Sequence, residues 1–169
     1  MAKQISLREF QQGLAQRLRE AQTEAEPTSR LSIEAGKRGW LLKLDEAGEM
    51  LPLPEISSVP LTRPWYLGLA NIRGVLSSVV DFGAFMDGDL TVRTPDCRLL
   101  LITERLQSYS GLLISRMLGL KNVQDMELVE GAGDRAWIGA AYRDKDGRVW
   151  NELDMDALVS HDDFLRVGA

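Results

Sequence analysis

Apolar residues near the start of the chain recur with a helical period. The apolar positions of this stretch, residues 6–25, fall on one helix face and are Leu7, Phe10, Leu14 and Leu18. Ser6 and Glu9 have the spacing of a helix-capping box, and Pro27 ends the pattern. The sequence therefore predicts an N-terminal helix whose apolar face packs either on its own domain or on a partner protein.

From Leu31 onwards the pattern changes to short apolar runs separated by turns, which is typical of small antiparallel barrels and sandwiches. Trp40, Leu42 and Leu44 alternate with Leu41 and Lys43, which predicts a strand with one face in the core. Further strands are expected over residues 99–102, 110–114, 137–142 and 149–153.

Turn and cap signals mark the end of the chain. Asp146 and Gly147 predict a tight hairpin between the last two strands. Asp154 can cap a closing helix, after which Phe164 and Leu165 are expected to pack back on the domain.

Two segments predict connections. Residues 45–60 contain three prolines, so we expect a connector that can hold a helical turn but no regular central strand near its end. Residues 87–96 are polar and contain Gly88 and Pro95, which predicts a junction between two halves of the protein.

The segment from Pro64 to Phe82 contains two apolar runs that meet at residues 71–74. Asn and Gly tolerate a positive φ, so we predict a tight bend that leaves Arg73 exposed. An exposed guanidinium is well suited to a protein interface. A local ion pair of Arg73 with Asp81 or Glu49 is the alternative, and the spacing leaves both interpretations open.

Composition and charge narrow the class of partner. The chain of 169 residues has 20 Lys and Arg against 25 Asp and Glu, a formal net charge of -5 that disfavours phosphate backbones and anionic membranes. The single cysteine, Cys97, excludes an internal disulfide, and the first residues lack the apolar core of a signal peptide. No run approaches the roughly 18 apolar residues of a membrane span. The sequence predicts a cytoplasmic protein.

The side chains that could act in catalysis or bind a metal do not form a recognisable catalytic or metal-binding motif in the sequence. The single histidine, His161, has acidic neighbours, but adjacent positions on a helix point in different directions. Cys97 has only Arg98 as a cationic neighbour and is expected to be inert. We therefore predict no enzymatic activity, no metal and no cofactor. A small hydrolase that uses Asp81 or the region of Glu127 is the enzyme alternative.

The central hairpin resembles a known family. Gly68, an apolar pair, Asn71-Ile72-Arg73-Gly74 and a second apolar run that ends at Asp81 are similar to the signature of the CheW family. These adaptor proteins couple chemoreceptors to a histidine kinase. The pattern extends back to Leu31 without a gap and forward more loosely to Val159.

Two departures from the family pattern affect the expected partner surface. Ser78 replaces a proline that is common in the second strand, and Ser115-Arg116 replaces an acidic residue that often follows a later strand. The predicted N-terminal helix and the Arg63-Pro64-Trp65 approach look more like the PilI subgroup, the adaptors of type IV pilus chemosensory systems.

The resemblance implies a mainly β fold. We expect two small SH3-like five-stranded β-barrels that share a hydrophobic seam, with an added N-terminal helix and a short C-terminal helix. The expected limits are 1–30 for the helix and linker and 31–165 for the CheW-like domain, with the junction near 87–96.

The resemblance also implies partners and their contact residues. A methyl-accepting chemoreceptor would contact Gly68, Asn71, Arg73 and Gly74, with Met117 and Leu120 across the seam. A CheA-like histidine kinase would contact Ala47, Glu49 and Met50. The implied location is the cytoplasm, with membrane association through receptor arrays.

The function that follows is that of a non-enzymatic adaptor in a chemosensory signalling array that controls type IV pilus twitching motility. A flagellar chemotaxis adaptor of the same family is the first alternative. A small β-barrel that binds nucleic acid is an alternative from another class, and the acidic balance of the chain argues against it.

Overall fold

The structure is a computed structural model that describes residues 28–131 and 133–169. The helix predicted over residues 6–25 lies outside the described residues. In chain order the strands are β1 (Ser29–Ala35), β2 (Arg38–Lys43), β3 (Ala47–Pro52), β4 (Tyr66–Ile72), β5 (Val75–Asp81), β6 (Arg98–Ile102), β7 (Ser110–Ile114), β8 (Arg116–Asn122), β9 (Glu127–Val129), β10 (Ile138–Arg143) and β11 (Val149–Leu153). The helices are α1 (Phe82–Asp87), α2 (Met155–Ser160) and α3 (Asp162–Leu165), with short 3-10 turns at Glu104–Leu106 and Val123–Asp125.

The strands form two sheets, which confirms the mainly β fold. One sheet has six strands in the order β8-β1-β2-β11-β10-β9, and the other has five in the order β3-β6-β7-β5-β4. Strand β2 pairs with β11 in parallel, as β5 does with β7, and the other pairs are antiparallel. The first sheet therefore has one strand more than the five that were expected.

The chain passes between the sheets at residues 44–46 and again at Ser115. The five-stranded sheet is therefore one continuous segment inserted into the chain of the other sheet. The junction predicted near residues 87–96 coincides with neither crossing, because β5 and β6 on its two sides belong to the same sheet. That segment instead borders a cleft of about 800 Å³ whose other wall includes residues 36–38. Its polar composition reflects exposure at the surface rather than a change of sheet.

The main hydrophobic core joins both sheets to the helices. Its large members include Ile33, Trp40, Leu42, Val80, Phe82, Phe85, Leu100, Leu112, Trp137 and Leu158. Strand β2 differs from the prediction, because Trp40, Leu41 and Leu42 are all 0% exposed and both faces of the strand are buried. The reason is its position between β1 and β11, inside the six-stranded sheet.

A buried carboxylate starts the first helix. Asp81 accepts hydrogen bonds from the backbone N of Ala84 at 3.0 Å and from the backbone N and Oγ1 of Thr91, both at 2.7 Å. These bonds cap α1 and fasten the loop that follows it. Both carboxylate oxygens of Asp81 are therefore used in hydrogen bonds within the fold.

The C-terminal helix begins as predicted. Asp154 caps α2 by accepting a hydrogen bond from the backbone N of Ala157 at 2.9 Å. Phe164 on α3 is buried as expected, whereas Leu165 points to solvent. No helix in residues 28–131 or 133–169 is long and apolar enough to cross a membrane.

A charged cluster surrounds a buried tryptophan on the six-stranded sheet. Lys121 Nζ lies 4.8 Å from the ring centroid of Trp150, and the guanidinium of Arg148 lies 4.4 Å from it. Trp150 Nε1 donates to Asp144 Oδ2 at 2.8 Å, and Arg148 Nη2 donates to Glu34 Oε2 at 2.8 Å. We call these five residues the Trp150 cluster.

Candidate partner-binding surface

The predicted bend is a tight hairpin between β4 and β5. Ile72 pairs with Val75, which leaves Arg73 and Gly74 as the two turn residues. Their φ angles are +53° and +85°, the combination of positive values that a type I′ turn requires. Asn71 Oδ1 accepts a hydrogen bond from the backbone N of Gly74 at 2.8 Å and so stabilises the turn.

The side chain of Arg73 forms an ion pair with Glu49 on β3. Both terminal nitrogens of the guanidinium donate to the two carboxylate oxygens, and these hydrogen bonds raise the pKa of Arg73 above its usual value. Of the two local partners that the sequence left open, the structure therefore has Glu49. The Arg73 side chain is nevertheless 71% exposed and that of Glu49 is 43% exposed. A partner protein can reach both charged groups.

A groove of about 430 Å³ lies beside this ion pair on the five-stranded sheet. Its lining includes Glu49, Ile72, Arg73, Val75 and Tyr109, and we call it the hairpin groove. The backbone N of Ser78 donates to the O of Tyr109 at 2.9 Å, so the parallel pairing of β5 and β7 brings the tyrosine to the hairpin. Val75, Leu76 and Tyr109 are large exposed apolar or aromatic side chains. Arginine next to an aromatic residue is a composition enriched in protein interfaces.

The small cluster behind the hairpin makes it a firm platform. Ala70, Val79 and Leu99 are buried together, with Ile72 among the partly buried residues packed against them. The exposed tip is therefore attached to strands with a core of their own.

Gly68 is buried and its role is to allow a close backbone approach. Its φ is +133°, and a Cβ at this position would lie 2.0 Å from the backbone O of Ser57. Ser57 and Leu69 exchange two backbone hydrogen bonds at 2.8 and 2.9 Å. This predicted receptor-side residue holds the proline-rich connector against β4 and offers no side chain to a partner.

Met117 and Leu120 lie apart from the hairpin groove. Both are on β8, an edge strand of the six-stranded sheet, and they are 51% and 66% exposed. Neither lines the hairpin groove. The predicted receptor-side residues are therefore divided between edge strands of two different sheets.

The three predicted kinase-side residues differ in exposure. Ala47 and Met50 are partly buried against the main core, and they pair with Ile102 and Leu100 of β6. Glu49 alone of the three is exposed. The structure thus joins one predicted kinase-side residue, Glu49, directly to a predicted receptor-side residue, Arg73.

Val75, Leu76 and Tyr109 were not among the predicted contact residues. The two aliphatic residues follow the turn glycine directly, which is a local signal for exposure at a hairpin tip. Tyr109 carried no comparable signal, because its place beside the hairpin depends on the pairing of β5 with β7.

The architecture is that of a small two-sheet domain with an exposed groove on its five-stranded sheet. Residues 30–163 match the CheW-like domain, and the chain belongs to the CheW-like domain family. It is 27% identical over 154 residues to Protein PilI of Pseudomonas aeruginosa, an alignment that covers 87% of this chain and 84% of that protein. The crystal structure of scaffolding protein TtCheW from Thermoanaerobacter tengcongensis has the same fold, with a TM-score of 0.64 at 16% identity over 75% of this chain and 88% of that one.

Proposed function

We propose that this protein is a non-enzymatic adaptor that couples a methyl-accepting chemoreceptor to a CheA-type histidine kinase in a chemosensory array. Membership of the CheW-like domain family supports the coupling role. The similarity to Protein PilI supports an array that controls type IV pilus twitching motility. The observation that carries the proposal is the exposed Arg73–Glu49 pair, which lines a groove with apolar and aromatic side chains beside the hairpin.

The receptor side of the proposed interface centres on Arg73. Asn71 and Gly74 hold the turn that presents the guanidinium, and Gly68 fixes β4 beneath it. Met117 and Leu120 would give the receptor a second, apolar contact on β8. Because an arginine binds a carboxylate through two parallel hydrogen bonds, an acidic side chain of the receptor would compete with Glu49 for Arg73.

The kinase side would use the exposed surface of β3. Glu49 supplies the charge there, while Ala47 and Met50 set the position of the strand by packing on the core. Since Glu49 is bonded to Arg73, receptor binding would change the charge that the kinase meets at β3. Such a coupling is reciprocal, so kinase binding would change receptor affinity by the same factor.

Replacement of Arg73 by Ala tests the proposed interface. We expect the affinity for a purified receptor signalling fragment to fall about tenfold or more, because a central arginine contact is lost. Arg93→Ala is the matched control, since Arg93 is an exposed arginine outside the hairpin groove. Binding is measured by calorimetry with receptor and kinase in turn. Equal affinities for Arg73→Ala and Arg93→Ala would remove Arg73 from the interface.

A deletion strain tests the pathway. We expect loss of surface twitching with normal swimming, and restoration of twitching by the wild-type gene but not by Arg73→Ala. Loss of swimming with normal twitching would instead assign the protein to a flagellar system. Kinase that reaches full receptor-dependent activity without this protein would contradict the coupling role itself.

A further inference from the structure

Three arginines from separate segments surround a recess away from the hairpin groove. They are Arg63 before β4, Arg135 before β10 and Arg166 after α3, and the recess has a volume of about 240 Å³. Trp65 and Phe85 also line it, together with one acidic residue, Asp163. We call it the arginine recess.

The aromatic wall of the recess is fixed by packing. The ring centroid of Trp65 lies 5.0 Å from that of Phe85 and 6.5 Å from that of Phe164. Phe85 and Phe164 belong to the main core. Because aromatic contacts of this kind hold the rings in place, the recess is present before any partner binds.

Two of the three guanidiniums are held by backbone carbonyls rather than by carboxylates. Arg63 Nε donates to the O of Arg166 at 3.1 Å, and Arg135 Nη2 donates to the O of Met86 at 3.3 Å. The Arg135 guanidinium also lies 5.5 Å from the ring centroid of Trp137. Within residues 28–131 and 133–169, neither Arg63 nor Arg135 has a carboxylate within ion-pair distance. Both guanidiniums are therefore oriented by backbone carbonyls.

The acidic groups nearby offset only part of this charge. Arg166 Nη2 lies 3.2 Å from Asp162 Oδ2, so the third arginine is already paired. Asp163 Oδ2 lies 3.7 Å from His161 Nδ1. With Arg166 set against Asp162, the remaining lining is two arginines against one carboxylate, which is a positive site in a chain of net charge -5.

Exposed leucines adjoin the arginines along the chain. Leu61 is 85% exposed and Leu165 is 59% exposed, and they stand close in sequence to Arg63 and Arg166. Backbone hydrogen bonds join the two segments, from Arg63 N to Val167 O at 2.8 Å and from Ala169 N to Leu61 O at 3.0 Å. Arginine and tryptophan in the recess, with exposed leucines close by along the chain, make a surface suited to protein recognition rather than to a small ion.

We propose that the arginine recess is a second docking surface, which takes an acidic segment of a protein partner. Carboxylates of the partner would bind Arg63 and Arg135, and apolar residues of the same segment would cover Leu61 and Leu165. Charge complementarity selects this occupant, since the lining of the recess has more arginines than carboxylates although the chain as a whole has a net charge of -5. The inference goes beyond the coupling role, because the recess shares no lining residue with the hairpin groove.

Site-specific photo-crosslinking in the native cell tests the proposal. The full-length protein carries p-benzoylphenylalanine in place of Leu165, with the same replacement of Val92 as the control, because Val92 is exposed and outside the recess. We expect a protein crosslink from position 165 whose linked peptide contains clustered Asp and Glu. Arg63→Glu or Arg135→Glu should reduce its yield about tenfold. Arg93→Glu, the control of equal charge change, should not.

Several outcomes would overturn the proposal. They are a yield at position 165 no higher than at position 92, a linked peptide without acidic residues, crosslinks to lipid only, or equal yields in Arg63→Glu and Arg93→Glu. Thermal unfolding shows whether each variant is folded, and Arg63→Lys should restore the crosslink because it keeps the charge. Arg73→Ala should leave the crosslink unchanged, which separates a failure of this proposal from a failure of the coupling role.

Discussion

The hairpin groove and the Trp150 cluster each pair arginine with glutamate, but in opposite surroundings. At the hairpin, Arg73 and Glu49 bind one another in solvent. In the Trp150 cluster, the Glu34 side chain is only 21% exposed and lies within ion-pair distance of both Arg116 and Arg148. Burial alone would raise the pKa of Glu34, but the hydrogen bonds and the positive charges of Arg148 and Arg116 together outweigh it and hold that pKa below its usual value.

This difference in exposure indicates which of the two ion pairs contributes to the stability of the fold. An exposed ion pair contributes little to stability, because water and salt screen it, whereas a partly buried one leaves a desolvated charge behind when it is broken. Arg73 even has a positive φ, which is unfavourable for a residue with a side chain. Stability therefore does not explain an arginine at the hairpin tip, whereas the proposed contact with a partner does.

The largest expected effect is in the Trp150 cluster. Trp150→Ala removes a buried ring and a hydrogen bond to Asp144, so we expect the free energy of unfolding to fall by about 3–5 kcal/mol. Tyr109→Ala in the hairpin groove is the control and should cost less than about 0.5 kcal/mol, because that ring is exposed. Urea denaturation measures both. Similar losses of unfolding free energy in the two variants would contradict the proposed difference between the Trp150 cluster and the hairpin groove.

Gly68→Ala tests what holds the hairpin platform in place. The new Cβ would meet the backbone O of Ser57 in addition to the positive φ, and we expect a loss of about 2–3 kcal/mol. Gly74→Ala is the matched control, since Gly74 also has a positive φ but a Cβ there would meet nothing within 4 Å. If both variants unfold at the same urea concentration, the close contact with Ser57 is not what requires a glycine at position 68.

The features that could be predicted from the sequence are those with local signals. The bend at Asn71–Gly74 and the cap at Asp154 each depend on residues within a few positions of one another. Two of the edge strands, β3 and β8, were not predicted, because their sequences depart from the regular alternation of a strand. Strand β3 ends at Pro52, which only an edge strand tolerates, and β8 contains Gly119 at a positive φ, where an irregular register breaks the alternation.

The candidate site shows the same division. The exposure of Arg73 could be predicted from its turn. Its pairing with Glu49 rather than Asp81 depends instead on where the fold places these two carboxylates. The carboxylate of Asp81 caps α1 instead of binding Arg73. Glu49 lies on β3, which is an edge strand of the same sheet as the hairpin. The cap formed by Asp81 is a local contact across three residues, whereas the position of β3 depends on long-range pairing of strands, which spacing along the chain does not encode.

The pH dependence of Glu34→Gln sharpens the comparison. A carboxyl whose pKa is lowered in the folded state stabilises the protein above its ordinary pKa, 4.5, and this stability is lost as the pH falls through the lowered value. We expect Glu34→Gln to cost about 1 kcal/mol at neutral pH. The difference from wild type should vanish in acid, as urea denaturation across pH will show. Glu49→Gln is the control and should cost less at neutral pH, and an equal cost would contradict the distinction between the pairs.

The smallest effect separates backbone strain from recognition at the hairpin tip. Arg73→Gly and Arg73→Ala lose the same ion pair with Glu49, but only glycine adopts a φ of +53° without penalty. We expect the glycine variant to melt about 2–4 °C above the alanine variant, measured by calorimetry. Both should bind the receptor fragment equally poorly, since neither has a guanidinium. A glycine variant that is more stable yet defective in binding would show that the tip keeps an unfavourable backbone for the sake of its charge, whereas equal melting temperatures would show that the turn relaxes around any residue at this position.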